Sequence, residues 1–448
     1  MTALPTRAEL QAAGVAARTR LPLAANAGWR PAPDRPDPVA LLLEQAANRI
    51  PDLVPIRHGR MAASPFSFLR GAALPMAADL ASTPASGIVV QLCGDAHLSN
   101  FGLFASPERD LVFDITDFDE TLHGPFEWDV KRLAASLIVA GRLRGFDPHA
   151  TRHAVHHAIG AYRERMATYG DMRAVDVYYA RVDVAGIDAA VDRRARPFLE
   201  QTEKAAHHHD ALHELPKLTA VDAAGHRRIV DRPPVISHPP AVTPSSVAVA
   251  MTGYRDTVAE DRLVLLDRYR LVDAARMVVG VGSVGLGAFA VLFEGGNDDP
   301  LFLQVKQAQA SVLERFLARS TQPSHGARVV AGQRRLQAAG DVLLGWTVGT
   351  GDDDWYVRQL QDQKGGAVVD DMTLEDLEAW GELCGWALAR GHARSGQPAE
   401  IAGYLGGDTA FEHAIGEFAD AYADQTERDH AAFVAAITAG RVTAEPGV

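Results

Sequence analysis

Cysteine is nearly absent: Cys93 and Cys384 are the only two in 448 residues. Two thiols are too few for a disulfide framework or a four-ligand zinc site, and they suit a reducing compartment, so a cytoplasmic protein is the expectation. Long apolar runs are missing as well. The best candidate, Met277 to Phe293, is interrupted by glycines, and no membrane span is expected. The opening Met-Thr-Ala-Leu-Pro-Thr-Arg-Ala-Glu has no basic stretch leading into an apolar core, which argues against a signal peptide. Positive charge is in deficit. A net charge of −13 argues against a general binder of nucleic acid or of an anionic membrane, while a local basic patch stays compatible with it. There are no internal repeats.

What is present is ordinary globular material, 47% hydrophobic and 23% charged, in a chain long enough for two domains or two large lobes. The triple His207–His209 lies in a polar helical stretch and reads as a solvated face rather than a metal site. Residues 1–38 are rich in alanine and proline and are expected to form a surface arm. Helical periodicity begins near Val39. A short apolar run, Val89 to Leu92, leads into Gly94-Asp95, and Phe101–Phe104 and Leu111–Ile115 read as strands around a Ser-Pro-Glu-Arg-Asp turn. Helical spacing predicts helices over 128–143, 149–169 and 193–214.

The texture changes near Leu215. A hairpin is expected over 217–236, then a proline-rich linker and a helix over 245–266. Five strands follow, at 269–279, 289–294, 300–306, 342–348 and 355–360, interrupted by one helical segment over 311–339. Helices return at 374–393 and 410–437. The fold class is thus α+β, divided as an arm (1–38), a first helical part (39–215), a β-rich lobe (216–362) and a second helical part (363–448).

The chemistry concentrates first in residues 94–120. Asp95 stands five positions before Asn100, and Asp117 and Asp119 close an apolar run. Phosphoryl transfer from a nucleotide needs such a set: one carboxylate to accept a hydroxyl proton, and an amide and a further carboxylate to hold Mg²⁺. Asp95 is the candidate base, Asn100 and Asp117 the candidate metal ligands, Asp119 a further ligand, and Asp114 a substitute if the register is displaced. His97 reads as structural, and so does Asp129, an acid in the first turn of the next helix that is also in place to brace the loop.

The second concentration is Gly280-Val281-Gly282-Ser283-Val284-Gly285, a G-x-G-x-x-G match that is weak alone. A dinucleotide-binding turn must open into a helix, whereas this one is followed by a strand-like Ala-Phe-Ala-Val-Leu-Phe. Strand, glycine loop, strand is the arrangement that covers nucleotide phosphates in kinases, with Gly280, Gly282, Ser283 and Gly285 as the binding positions. Lys306 then ends an apolar strand, where an ammonium is costly without an anion. Phosphates would supply that anion, with Glu314 as the carboxylate holding the lysine and Gln333 as the fallback.

Gly94-Asp95-Ala96-His97-Leu98-Ser99-Asn100 resembles the Gly-Asp-x-His-x-x-Asn loop of aminoglycoside and choline kinases, in the protein-kinase-like superfamily. The chain as a whole resembles the bacterial domain-of-unknown-function family 2252. That resemblance rests on Arg57-His58-Gly59-Arg60-Met61, Ser64-Pro65-Phe66, Gln91 to Asp95, Asp117-Phe118-Asp119-Glu120, Gly280 to Gly285, Gln304-Val305-Lys306 and Tyr356 to Leu360. Two departures stand out: Cys93 where many kinases have His, and Asp119 in place of the glycine of Asp-Phe-Gly. The order of parts is also rotated, with the catalytic loop before the glycine loop.

The resemblance therefore implies a circularly permuted protein-kinase-like fold, with a mainly helical large lobe and a small antiparallel β lobe carrying one αC-like helix. Gln359 and Leu360 would begin the hinge that meets adenine. The expected function is an ATP- and Mg²⁺-dependent phosphotransferase acting on a small-molecule hydroxyl. A catalytically silent nucleotide-binding regulator and a nucleotidyltransferase acting on protein are the alternatives. The acceptor and the oligomeric state stay open. Arg57, Arg60 and Arg70 are placed either to hold an anionic substrate or to pair with the chain's surplus carboxylates, and the pairing is the expectation.

Overall fold

The computed structural model describes residues 4–447 apart from 185, 188–194, 209–210, 224, 241–243, 279, 281, 283, 350–352 and 361–363. The architecture is α+β, mostly helical, with small antiparallel sheets. Strand β1 (Val89–Leu92) pairs with β4 (Leu122–Pro125). Strands β2 (Phe101–Ala105) and β3 (Leu111–Ile115) form the expected hairpin, with Phe101 opposite Ile115 and Ala105 opposite Leu111, and β5 (Val182–Asp183) extends it. A turn with Arg109 at φ +71° joins β2 to β3. Strands β6 (Thr219–Val221) and β7 (Arg227–Ile229) make a separate hairpin.

The large sheet takes all its strands from residues 236–359, in the order β12-β13-β11-β10-β9-β8. These are β8 (Ile236–Ser237), β9 (Arg270–Met277), β10 (Ala288–Glu294), β11 (Pro300–Ala308), β12 (Gly345–Val348) and β13 (Asp354–Gln359). All five long strands expected from the sequence are present and antiparallel. The core strand β11 is buried at nearly every position, which is why its sequence, Pro-Leu-Phe-Leu-Gln-Val-Lys, runs apolar without alternation.

Two local expectations are corrected, and the expected surface arm has a structure of its own: residues 7–17 make a helix started by a capping box in which Thr6 and Glu9 bond reciprocally. That helix packs on the Pro398–Leu405 helix, and Leu21, Leu23 and Trp29 behind it enter the main core. The segment 311–339 is not one helix. A short turn at Val312–Arg315 is separated from the His325–Leu336 helix by Gln322-Pro323-Ser324, where Ser324 caps the new start. The 245–266 helix likewise divides into Pro244–Arg255 and Glu260–Leu266, because the Thr257 hydroxyl is drawn to the Tyr254 and Trp346 carbonyls.

The helix Phe126–Arg144 runs through the middle of the helical part and is buried on almost all sides. A helix buried all round should be apolar, yet this one carries Glu127, Asp129, Lys131 and Arg132 in its first turns. Three of the four are tied to the segment that precedes them in sequence. Glu127 accepts from the Ser86 amide, Asp129 accepts from the Cys93 and Gly94 amides at 2.7 and 3.0 Å, and Arg132 reaches Asp95. The helix is thus a polar frame for the 93–100 loop. Trp380, from the Leu374–Ser395 helix, closes the other side by donating its indole N–H to the Leu98 carbonyl.

Candidate functional site

The 93–100 loop is fixed by its own residues. Gly94 has φ +86°, and a Cβ there would come within 2.2 Å of the Glu120 carbonyl oxygen, so only glycine lets the two acidic loops approach. After it, the His97 amide donates to the Asp95 carbonyl and the Asn100 amide to the His97 carbonyl, each at 2.8 Å. The Asn100 side chain returns to the Asp95 carbonyl at 2.8 Å. This explains the spacing of Asp95 and Asn100: one tight turn presents both on the same wall.

That wall belongs to a cleft of about 270 Å³. Asp95, Asn100, Asp117, Asp119 and Glu120 line it from below, Gly280 and Gly282 from the loop between β9 and β10, and Arg49, Arg57 and Arg70 from the N-terminal helices. Ser283 lies outside the described residues. The glycine loop is anchored to the N-terminal segment, since Ile50 N–H donates to the Gly285 carbonyl at 2.7 Å and Arg49 Nη1 to the Val284 carbonyl at 2.5 Å. Gly285 has φ +91°, and a Cβ there would press on the Arg49 side chain at 3.0 Å.

Lys306, 2% exposed, points from β11 into the acidic loop. It bonds the Asp119 carboxylate and lies 3.8 Å from Asp117 Oδ2. The Tyr356 hydroxyl donates to the other Asp119 oxygen at 2.8 Å. Burial by itself would lower the Lys306 ammonium, but the two carboxylates outweigh it and hold the pKa well above the ordinary lysine range. Asp119 is depressed in turn: burial alone would raise it, and the Lys306 charge with the hydrogen bonds from Lys306 and Tyr356 prevails.

Glu314 does not meet Lys306. Its carboxylate lies 3.9 Å from Arg328 Nε, and Gln333, the fallback, bonds Gln337 instead. The short turn at 312–315 ends before a helix that could carry a carboxylate across to the lysine, so Asp117 and Asp119 stand in that place. Asp114 is not a ligand in reserve. It is 1% exposed, its Oδ1 accepts from Arg390 at 2.5 Å and from the Ile115 amide, and its Oδ2 accepts from the Ala338 amide. It ties β3 to the Leu374–Ser395 helix and to the turn that follows the His325–Leu336 helix.

Asp95 receives Arg132 Nε at 2.8 Å and Nη2 at 2.7 Å on one oxygen. Burial is the largest influence on it and prevails over Arg132, pushing its pKa up from 3.8 to about 6. His97 is 3.7 Å away, but burial and the nearby arginines push it far below its ordinary value, so it is neutral and contributes no charge. Glu120 is pushed from 4.5 to about 7, mostly by burial and against the bond it accepts from the Val312 amide.

Among the metal-binding candidates, Asn100 and Asp117 keep acceptors for a cation. Asn100 uses its amide nitrogen on the Asp95 carbonyl, which leaves its oxygen open, and Asp117 Oδ1 accepts only the Asp119 amide at 3.0 Å. Asp119 is taken by Lys306 and Tyr356. Among the described residues no group of three His, Cys, Asp or Glu side chains is placed to hold a metal ion unaided. The donor set therefore fits Mg²⁺, which takes one or two protein carboxylates and completes its shell with waters and phosphates.

Gln359 and Leu360 lie outside this cleft. Gln359 belongs to a separate cavity of about 40 Å³ with Asp341, Arg358 and Lys364. Its amide donates to Asp341 at 2.5 Å, the Leu360 amide donates to the Phe302 carbonyl at 3.0 Å, and both of their carbonyls accept from Lys364 Nζ. Residues 361–363 of the expected hinge lie outside the described residues.

Two contributors escape a motif-based reading. Arg132 was signalled by a Lys-Arg pair inside an apolar helix, a placement that demands an anion. Glu120 was signalled only by its place beside Asp119. Because burial lifts its pKa, Glu120 holds its proton more tightly in the folded state than in the unfolded one. Its cost to folding is full at pH 8 and fades as pH falls through about 7 toward 4.5. Partly open to the cleft, that cost is about 1–2 kcal/mol. Glu120→Gln is therefore expected to raise the stability of the ligand-free protein at pH 8 by that amount and to leave it unchanged near pH 4.5. Denaturant melts at both pH values check this, and equal shifts at the two would contradict it.

The molecule so described is an α+β protein with a charged cleft in which a buried lysine meets two aspartates. The family model described as "Uncharacterized protein conserved in bacteria (DUF2252)" matches residues 49–436, and the chain belongs to that family. No curated protein and no solved structure matches it.

Proposed function

We propose that this protein is an ATP- and Mg²⁺-dependent phosphotransferase with a circularly permuted kinase-like fold, acting on a hydroxyl of a small molecule. The observation that carries the reading is the convergence of Lys306 with Asp117 at 3.8 Å and with Asp119, beside Asp95 and Asn100, on one cleft roofed by a glycine loop. These pieces lie up to about 200 residues apart in the chain, and phosphoryl transfer uses each of them.

In this mechanism Asp95, ionised at pH 7, accepts the proton of the acceptor hydroxyl as its oxygen attacks the terminal phosphorus. The bond from that phosphorus to the nucleoside diphosphate oxygen breaks, and its electron pair leaves with the diphosphate. Arg132 orients the Asp95 carboxylate. Lys306 exchanges part of its contact with Asp119 for the phosphates, and Asn100 and Asp117 are the residues that would hold Mg²⁺. The ion, when bound, neutralises phosphate charge.

A second reading, nucleotidyl transfer, is favoured by the backbone of Gln359 and Leu360, whose polar groups are already engaged. A nucleotide whose base lies elsewhere would present its α-phosphate to the same carboxylates. Incubation with ATP labelled at the α or the γ position separates the two, with a bacterial small-molecule extract and whole-cell protein as acceptors. Phosphotransfer predicts γ-label in small-molecule product and none from α; α-label in protein supports nucleotidyl transfer; nucleotide binding with no label moved from either position overturns both.

A further inference from the structure

Three guanidinium groups from the N-terminal segment line the same cleft as the carboxylates. Arg57, on the Val54–Ala62 helix, is 1% exposed, and its Nη2 bonds only Gln45 Oε1 at 3.2 Å and the Gly71 carbonyl at 2.7 Å. Its Nε and Nη1 are buried with no hydrogen-bond partner among the described residues. Arg49 is 8% exposed, bonds the Val284 carbonyl through Nη1, and has an unpartnered buried Nε. Arg70 ends the Pro65–Gly71 helix with a buried, unpartnered Nε and no ion pair among the described residues. All three line the same cleft.

The chain does not lack carboxylates, and it spends them on other buried arginines. Arg35 is met by Asp79 and Asp429, Arg163 by Glu412, Arg390 by Asp114 and Arg132 by Asp95. The expectation that Arg57 and Arg70 pair with surplus carboxylates is therefore not what the fold does. Burying cations with unfilled hydrogen bonds is costly: burial and then the neighbouring Arg49 depress Arg57 below its ordinary range, and Glu120 offsets them only in part. A wall of forked donors with unfilled hydrogen bonds matches an oxyanion with several acceptor oxygens, which an arginine fork binds in parallel.

We propose that Arg49, Arg57 and Arg70 form an oxyanion subsite for a phosphate group, in the cleft that Asp95 and Asp117 also line. Its chemistry stands whether the phosphate is the terminal one of the nucleotide or one carried by the acceptor. Only the word acceptor rests on the phosphotransfer reading; the binding itself does not.

The test is calorimetric titration of the full chain with pyrophosphate at low ionic strength, in EDTA and again with excess MgCl₂. The wild type binds, Arg70→Met weakens binding at least tenfold, and Arg70→Lys weakens it less. Arg262→Met, at a surface arginine on the Glu260–Leu266 helix, leaves it unchanged. Arg57→Lys weakens binding too, and thermal melts confirm that it is folded; Arg70, the less enclosed residue, carries the test if it is not. Equal affinity in folded wild type and Arg70→Met, or no binding by the wild type under either condition, overturns the subsite. Repeating the titration with a saturating non-hydrolysable ATP analogue assigns the source: retained binding places the phosphate on a second ligand, and lost binding places it on the nucleotide. Arg70-dependent pyrophosphate binding in a protein that moves no label from ATP would sink the phosphotransfer reading and leave the subsite standing. Label transfer with Arg70-independent binding would do the reverse.

Discussion

Asp95→Asn is expected to lower the turnover of ATP-dependent phosphotransfer about 10²–10⁴-fold while changing nucleotide affinity little. The substitution keeps the shape of the side chain and its place between Arg132 and the cleft, but removes the carboxylate assigned to take the hydroxyl proton. The pH profile carries a second, independent signature. Burial raises Asp95 to about 6, so the base form is lost as pH falls through that value, and the wild-type rate should rise with pH and level off above about 7. Arg132→Met removes the main stabiliser of the Asp95 anion, and the profile should then move to higher pH. A residual rate in Asp95→Asn close to wild type, or a profile that Arg132→Met leaves in place, would show that Asp95 is not the base. Single-turnover label transfer measured across pH 5–9 gives both readouts.

Much of this site was legible because its chemistry is local. The Asp95–Asn100 interval is set by a single turn, and the β2–β3 hairpin that delivers Asp117 and Asp119 is announced by two apolar runs around a Ser-Pro-Glu-Arg-Asp turn. The large sheet was legible for a different reason: β11 is buried along its length and the edge strand β12 alternates, so periodicity and run length agree. Glu314 failed where a template replaced a local signal. The short turn at 312–315 and the Pro323 break put its carboxylate against Arg328, and nothing in the interval from Lys306 encodes that. The N-terminal helix was legible but overlooked, because Thr6-Arg7-Ala8-Glu9 is a capping-box sequence surrounded by alanine and proline.

Arg57 and Arg70 were legible as candidates for an anion, but not the choice between an anion and a carboxylate partner, and Arg49 was not legible at all. Whether a buried guanidinium meets a carboxylate or faces a cleft is decided by tertiary neighbours drawn from Gln45, Gly71 and Val284, and composition alone favoured neutral pairing. The same limit applies to Gln359 and Leu360. A strand followed by Lys-Gly-Gly looks like a hinge, but its backbone groups are claimed by Asp341 and Phe302, which the local sequence does not announce, and by the ammonium of that same Lys364.

Lys306→Met should have the largest effect on stability and a large one on activity, and the two should be separable by Mg²⁺. The lysine is sealed at its own end, while Asp117 and Asp119 are partly open to the cleft, with side-chain exposures of 29% and 20%. Removing one partner of a fully buried pair costs about 3–5 kcal/mol; the open carboxylates reduce that here to ~2–4 kcal/mol at neutral pH. The sign with pH follows from the depressed Asp119. Its contribution is present above the unfolded carboxylate range and disappears as pH falls through the folded value, so wild type and variant should converge in acid. Lys306, raised, keeps its contribution up to its unfolded value near 10.5 and loses it only in strong alkali. The carboxylates freed in Lys306→Met form a more negative site, and Mg²⁺ should raise the melting temperature of the variant more than that of the wild type. Adding Asp117→Asn should abolish that excess. Activity does not return with the metal, because an ion held by Asp117 does not replace an ammonium aimed at the phosphates. A loss of about 10²–10³ in kcat/KM should persist at saturating Mg²⁺. Equal Mg²⁺ shifts in wild type and variant would mean that Asp117 and Asp119 serve Lys306 alone and that the cation site lies elsewhere in the cleft.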